Sequence, residues 1–135
     1  MIIDDYLGSF DERMMRLNTI LDEKDNIVLV GSSYGGLMAS VFTCLNEGRM
    51  KKLVLLAPAL SLDEFRPYLD KKIHIPVIVY HGEHDDVVPV EPVNDIALKV
   101  FTNLKYHIID DDHSLHKNFD ALDWDTLLSL RSLKT

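Results

Sequence analysis

Three short runs, Ile27–Val30, Leu53–Leu56 and Val77–Tyr80, are apolar and contain no charged residue. A strand with one wet face alternates apolar and polar residues, whereas a strand covered on both faces does not. These runs therefore predict a buried parallel sheet. A fourth run, Tyr106–Ile109, follows Lys105 and includes His107, a mixture that suits a sheet edge. Helical patterns lie between and around the runs. Phe10, Met14, Leu17 and Leu21 line one face of the first. Leu37, Met38, Val41, Phe42, Cys44 and Leu45 make the second apolar on most sides. Val93, Ile96, Ala97, Val100 and Phe101 mark a third, and Phe119, Leu122, Thr126, Leu127, Leu130 and Leu133 a fourth. Alternating strands and helices require right-handed crossovers. The expected fold is α/β: a three-layer α/β/α sandwich around a short, four-stranded parallel sheet in the order 1-2-3-4.

The 135 residues suffice for one domain, taken as 1–135, with no repeat or linker to divide it. A chain of this size buries a core without disulfide or metal staples. Its single cysteine, Cys44, lies in an apolar stretch and reads as a small buried hydrophobe. The net charge of -8 opposes nucleic acid and anionic membrane as partners. No stretch is apolar for long enough to span a bilayer, and the opening MIIDDYLGSF is unlike a signal peptide. A cytoplasmic location is expected.

In an open parallel sheet, ligands bind outside the carboxyl ends of the strands. Chemistry should therefore follow Val30, Leu56, Tyr80 and Ile109. Directly after the first run stands Gly31-Ser32-Ser33-Tyr34-Gly35-Gly36, a G-x-S-x-G turn between strand and helix. Cβ atoms at Gly31 and Gly35 are expected to collide with neighbouring backbone, and Ser33 to be strained with its Oγ exposed. The next helix points its N-terminus at the site, so the Tyr34 amide is placed to stabilise negative charge. A glycine-rich turn could instead cradle phosphate, but no Lys-Ser or Lys-Thr pair follows it. After the third run comes His81-Gly82-Glu83-His84-Asp85-Asp86-Val87-Val88-Pro89, and after the fourth Asp110-Asp111-Asp112-His113-Ser114. A carboxylate in the former could fix the tautomer of a histidine, and His113 could take a proton from Ser33 and return it. The competing readings are His116 as base, His81 with His84 as a metal pair, and Asp110–Asp112 as a cation site. A solvated loop and no metal are the simpler expectation.

Taken together, Gly31-Ser32-Ser33-Tyr34-Gly35-Gly36, His81-Gly82 with Asp85 and Val88-Pro89, and Asp112-His113 resemble the C-terminal portion of an α/β-hydrolase. The resemblance covers nearly the whole chain, from about Asp4 to the last helical pattern. It implies a serine hydrolase with Ser33 as nucleophile, His113 as base and Asp85 as triad acid, with Asp86 the alternative. His81 matches a structural position of the family loop. No cofactor is implied. The expected substrate is a small acyl ester, with thioester or peptide cleavage on the same triad as variants. A non-catalytic binding module is the rival from another class.

The resemblance also exposes a deficit. The family places several strands before the nucleophile strand, and the loop after its third strand supplies a second oxyanion amide. Here the residues before Ile27 read as one helix. Ile27–Val30 therefore becomes a flat apolar edge without the Lys or Pro that protects edges. A homodimer joined through it, or a cover formed by Met1–Gly8, is expected. The segment Ala59–Lys72, punctuated by Pro67, lies where the family inserts a lid. Its shortness favours short acyl groups.

Overall fold

The computed structural model describes residues 8–113 and Leu115. Helix α1 spans Phe10–Ile20, and the Oγ of Ser9 caps it by accepting the Glu12 amide at 3.1 Å. Strand β1 spans Ile27–Ser32, α2 Tyr34–Leu45, β2 Met50–Leu56, β3 Val77–Gly82, α3 Val90–Val100 and β4 Leu104–Ile109. Short 3-10 turns cover Glu47–Arg49 and Asp63–Tyr68. The strands are all parallel and lie in the order β1-β2-β3-β4, as expected from the apolar runs.

Every connection steps the same way across the sheet, so right-handed crossovers place them on one face. That face supplies Ile27, Leu29, Leu53, Leu55, Val77 and Val79 to the main core. Leu37, Val41 and Phe42 of α2 and Val93, Ala97 and Val100 of α3 pack with them, as do Met14 and Leu17 of α1. On the opposite face Val54 and Ile78 are buried, with Val30 and Tyr80 beside them. The helix expected over Phe119–Leu133 lies outside the described residues, as does Met1–Leu7.

All four strands are longer than their apolar runs suggest: β1 and β3 continue to Ser32 and Gly82, and β2 and β4 begin earlier. β2 starts at Met50 because Lys51 and Lys52 belong to it, and Lys52 is fully buried. Burial lowers the pKa of its ammonium. β4 starts at Leu104, and Lys105 pairs with Ile78. The backbone pays no attention to side-chain polarity when its ladder can be completed, so polar residues extend both strands. The strand ends remain level: Ser32 pairs with Leu56, Leu56 with Tyr80, and Gly82 with Ile109. The residues that follow them share one rim of the sheet.

Candidate active site

Ser33 leaves β1 with φ 54° and ψ -117°, a conformation that a non-glycine residue adopts only under strain. Its neighbours hold it there. The Ser33 amide donates to the Leu56 carbonyl at 2.9 Å, and its carbonyl accepts from the amides of Gly36 at 3.0 Å and Ala59 at 3.0 Å. A serine before a helix usually caps it with its own Oγ. Ser33 makes no such cap. Its Oγ lies 3.0 Å from His113 Nε2 instead.

The glycines around it act differently from expectation. A Cβ on Gly31 would sit 2.5 Å from the Gly35 carbonyl oxygen, so the first glycine is required. A Cβ on Gly35 would meet nothing within 4 Å. The expected collision there is wrong, because the first turn of α2 directs that position into open space. The crowded position is Gly36, whose Cβ would sit 2.8 Å from Pro58 Cβ. Pro58 follows β2, and Gly36 lets that loop pass against the helix.

Asp85 hangs in the loop after β3 with its side chain fully buried. Its Oδ1 accepts the amides of Val87 at 2.9 Å and Val88 at 2.7 Å. Its Oδ2 accepts from His113 Nδ1 at 2.6 Å. Burial alone would raise its pKa. The Val88 amide, the His113 ring and the Val87 amide outweigh that and hold the carboxyl below the usual range. Asp85 can only accept from His113, so Nδ1 carries the proton and Nε2 is left to accept from the Ser33 hydroxyl. Of the two carboxylates the sequence offered, Asp85 faces His113 and Asp86 is exposed.

Gly82 explains how the histidine loop gets close enough. A Cβ there would strike the carbonyl oxygens of Asp111 and Asp112. The Glu83 amide donates to the Ile109 carbonyl at 2.8 Å and the His84 amide to the Asp111 carbonyl at 3.0 Å. These bonds stitch the Asp85 loop to the His113 loop. The Tyr34 amide lies in the first turn of α2, where no carbonyl of the helix can accept it. It remains available beside Ser33. The Tyr34 side chain reaches the segment between β2 and β3, its hydroxyl 3.1 Å from Glu64 Oε2. Burial and then that bond raise its pKa. This contact was not legible from the motif, which constrains only backbone at Tyr34.

His81 and His84, the competing metal-pair reading, do not come together. His81 is fully buried and its Nε2 lies 2.8 Å from the Val88 carbonyl oxygen, whereas His84 is exposed. His84 Nε2 instead lies 2.8 Å from Asp110 Oδ1 and 3.3 Å from Glu83 Oε1. Among the described residues, Glu83, His84 and Asp110 have the composition to hold a cation. All three are exposed and already paired with one another across the two loops. His116 lies outside the described residues. Cys44 is buried, and burial pushes its thiol up to about 12, so it is unsuited to nucleophilic work.

Residues 10–100 match the family described as Uncharacterised protein family (UPF0227). The chain belongs to that family. No curated protein matches it. Solved structures place this UPF0227 member among the α/β-hydrolases by fold. A predicted CIB-like hydrolase from Thermoplasma acidophilum aligns at TM-score 0.64 and 21% identity, over 81% of this chain and 53% of its own. An alpha-beta serine hydrolase homologue from Coxiella burnetii aligns at 0.66 and 20%, over 95% and 61%. A protein of the α/β superfamily from Xanthomonas campestris pv. campestris aligns at 0.66 and 26%, over 85% and 65%. The chain thus spans a little over half to about two thirds of the length of these structures. Among the described residues, no helix is long and apolar enough to cross a membrane.

Proposed function

We propose that this chain is a serine hydrolase that cleaves small carboxylic esters. The observation that carries the reading is the unbroken hydrogen-bonded path from Ser33 Oγ through the His113 ring to the Asp85 carboxylate. In this reading Ser33 attacks the carbonyl carbon as its proton passes to His113 Nε2. Asp85 stabilises the resulting imidazolium through Nδ1 without taking the proton itself. The Tyr34 amide and the α2 N-terminus stabilise the oxyanion. His113 then protonates the leaving alkoxide, the acyl-enzyme forms, and water reverses the steps.

The short segment between β2 and β3, with its 3-10 turn over Asp63–Tyr68, favours a small acyl group because it offers little surface to enclose a long one. Thioesters and peptides are variants on the same triad. The acidic charge of -8 supports a small neutral substrate over nucleic acid or a membrane surface. Turnover of p-nitrophenyl acetate and butyrate by wild type and Ser33→Ala tests the reading. Acetate and butyrate are expected to be hydrolysed, and Ser33→Ala to lose turnover by about a thousandfold or more. Equal rates for the two proteins would return the chain to the binding-module alternative.

A further inference from the structure

Beneath the triad lies a second chain of polar groups that the proposed mechanism does not use. His81, on β3, is fully buried. Its Nε2 lies 2.8 Å from the Val88 carbonyl oxygen and 3.3 Å from Asp85 Oδ2. Its Nδ1 lies 2.5 Å from the hydroxyl of Tyr106, on β4. A carbonyl oxygen can only accept, so Nε2 must carry a proton. If the ring is neutral, Nδ1 is then the acceptor and the Tyr106 hydroxyl is its donor. Burial lowers the pKa of His81, which favours the neutral ring, and burial raises that of Tyr106, which keeps its proton on. The titratable groups facing His81 are Asp85 and His113 from the two loops and Tyr106 from β4.

We propose that Tyr106 and His81 are positioning residues for the triad: the Tyr106 hydroxyl locks His81 as an uncharged ring with its proton on Nε2, and that N–H holds the Asp85–Val88 turn so that the charge of Asp85 is left for His113. The inference rests on the hydrolase reading. His81 stands 3.3 Å from the same carboxylate oxygen that His113 uses. A charge on His81 would set a second cation against Asp85 and weaken its hold on the imidazolium formed during catalysis. Tyr106 opposes this by donating to Nδ1, since a second proton there would have to turn the hydroxyl from donor to acceptor.

The test combines nitrogen NMR with kinetics on the whole chain. In protein labelled with nitrogen-15 at histidine, long-range proton–nitrogen correlations should show His81 neutral and protonated on Nε2 from about pH 8 down to about pH 6. In Tyr106→Phe the ring should take up a second proton, on Nδ1, within that interval. Its kcat on p-nitrophenyl acetate should fall about fivefold at pH 8, the effect of losing one hydrogen bond, and further at pH 6, with KM changed less than about twofold. A wild-type ring protonated on Nδ1, or charged at about pH 6, overturns the proposal. So does a Tyr106→Phe protein whose pH–rate profile has the shape and height of the wild type. The wild-type spectrum decides the tautomer even if Tyr106→Phe does not fold. An inactive wild type with a neutral Nε2-protonated His81 would sink the hydrolase reading, and with it the catalytic role of the lock, while leaving the lock itself in place.

Discussion

At Ser33 the backbone does what few non-glycine residues tolerate, and Ala57, at the end of the neighbouring strand, does the same with φ 45°. Each such residue costs of order 1–3 kcal/mol. At Ser33 the strain frees the Oγ from its capping duty and turns it toward His113. The residue types of the triad were legible in the sequence because each follows a strand. The roles of the glycines were not, because they depend on which loop crosses which. Gly35 stands in the motif yet faces open space, whereas Gly82 sits under the Asp111 and Asp112 carbonyls. Gly35→Ala should therefore leave the melting temperature unchanged or raise it, since alanine favours a helix by up to about 1 kcal/mol over glycine. Gly82→Ala should lower the melting temperature and cut ester turnover at least about tenfold by pushing the His113 loop away. Calorimetry and initial rates read both variants. A harmless Gly82→Ala would mean the two loops are not held together in this way.

Elements carry the next level of constraint. The apolar runs located all four strands, since burial on both faces leaves a local mark. They missed the strand ends, where Gly31 and Ser32 of β1, Met50 and Lys52 of β2, His81 and Gly82 of β3, and Leu104 and Lys105 of β4 continue the backbone ladder past the apolar run. They also could not show Tyr106 against His81, because that contact depends on the β3–β4 register, in which Val79 pairs with Tyr106. The loop after β3 should make the protein sensitive to acid in two windows. The pKa of His81 is lowered by folding, so the unfolded chain takes up its proton first. The stability this protects is complete above the unfolded value of about 6.5 and is lost as pH falls toward the folded one. The pKa of Asp85 is also lowered, so its contribution is complete above about 3.9 and lost below. Urea unfolding of wild type should show a lower midpoint at about pH 5.5 than at about pH 7.5. In His81→Gln that difference should shrink. An undiminished difference would show that His81 is not its source.

For the molecule as a whole, the β1 edge matters most. Among the described residues β1 pairs with β2 alone, so its other side presents a row of backbone donors and acceptors next to Ser33. We propose that a second copy of the chain pairs there. Sedimentation should then give a dimer at micromolar concentration, and Val28→Pro, which removes one edge donor or disrupts the strand, should weaken it. A monomer at high concentration would rule this pairing out. The sequence put β1 at one end of the strand order 1-2-3-4. It could not reveal what covers that edge, since strand pairing is set by backbone and not by side-chain type. The central claim concerns reactivity at one atom, and covalent labelling tests it most directly. A fluorophosphonate probe followed by peptide mass mapping should place the adduct on Ser33, and His113→Ala should abolish it while leaving the fold intact by circular dichroism. An unlabelled Ser33 in well-folded wild type, or labelling that persists undiminished in His113→Ala, would contradict the account.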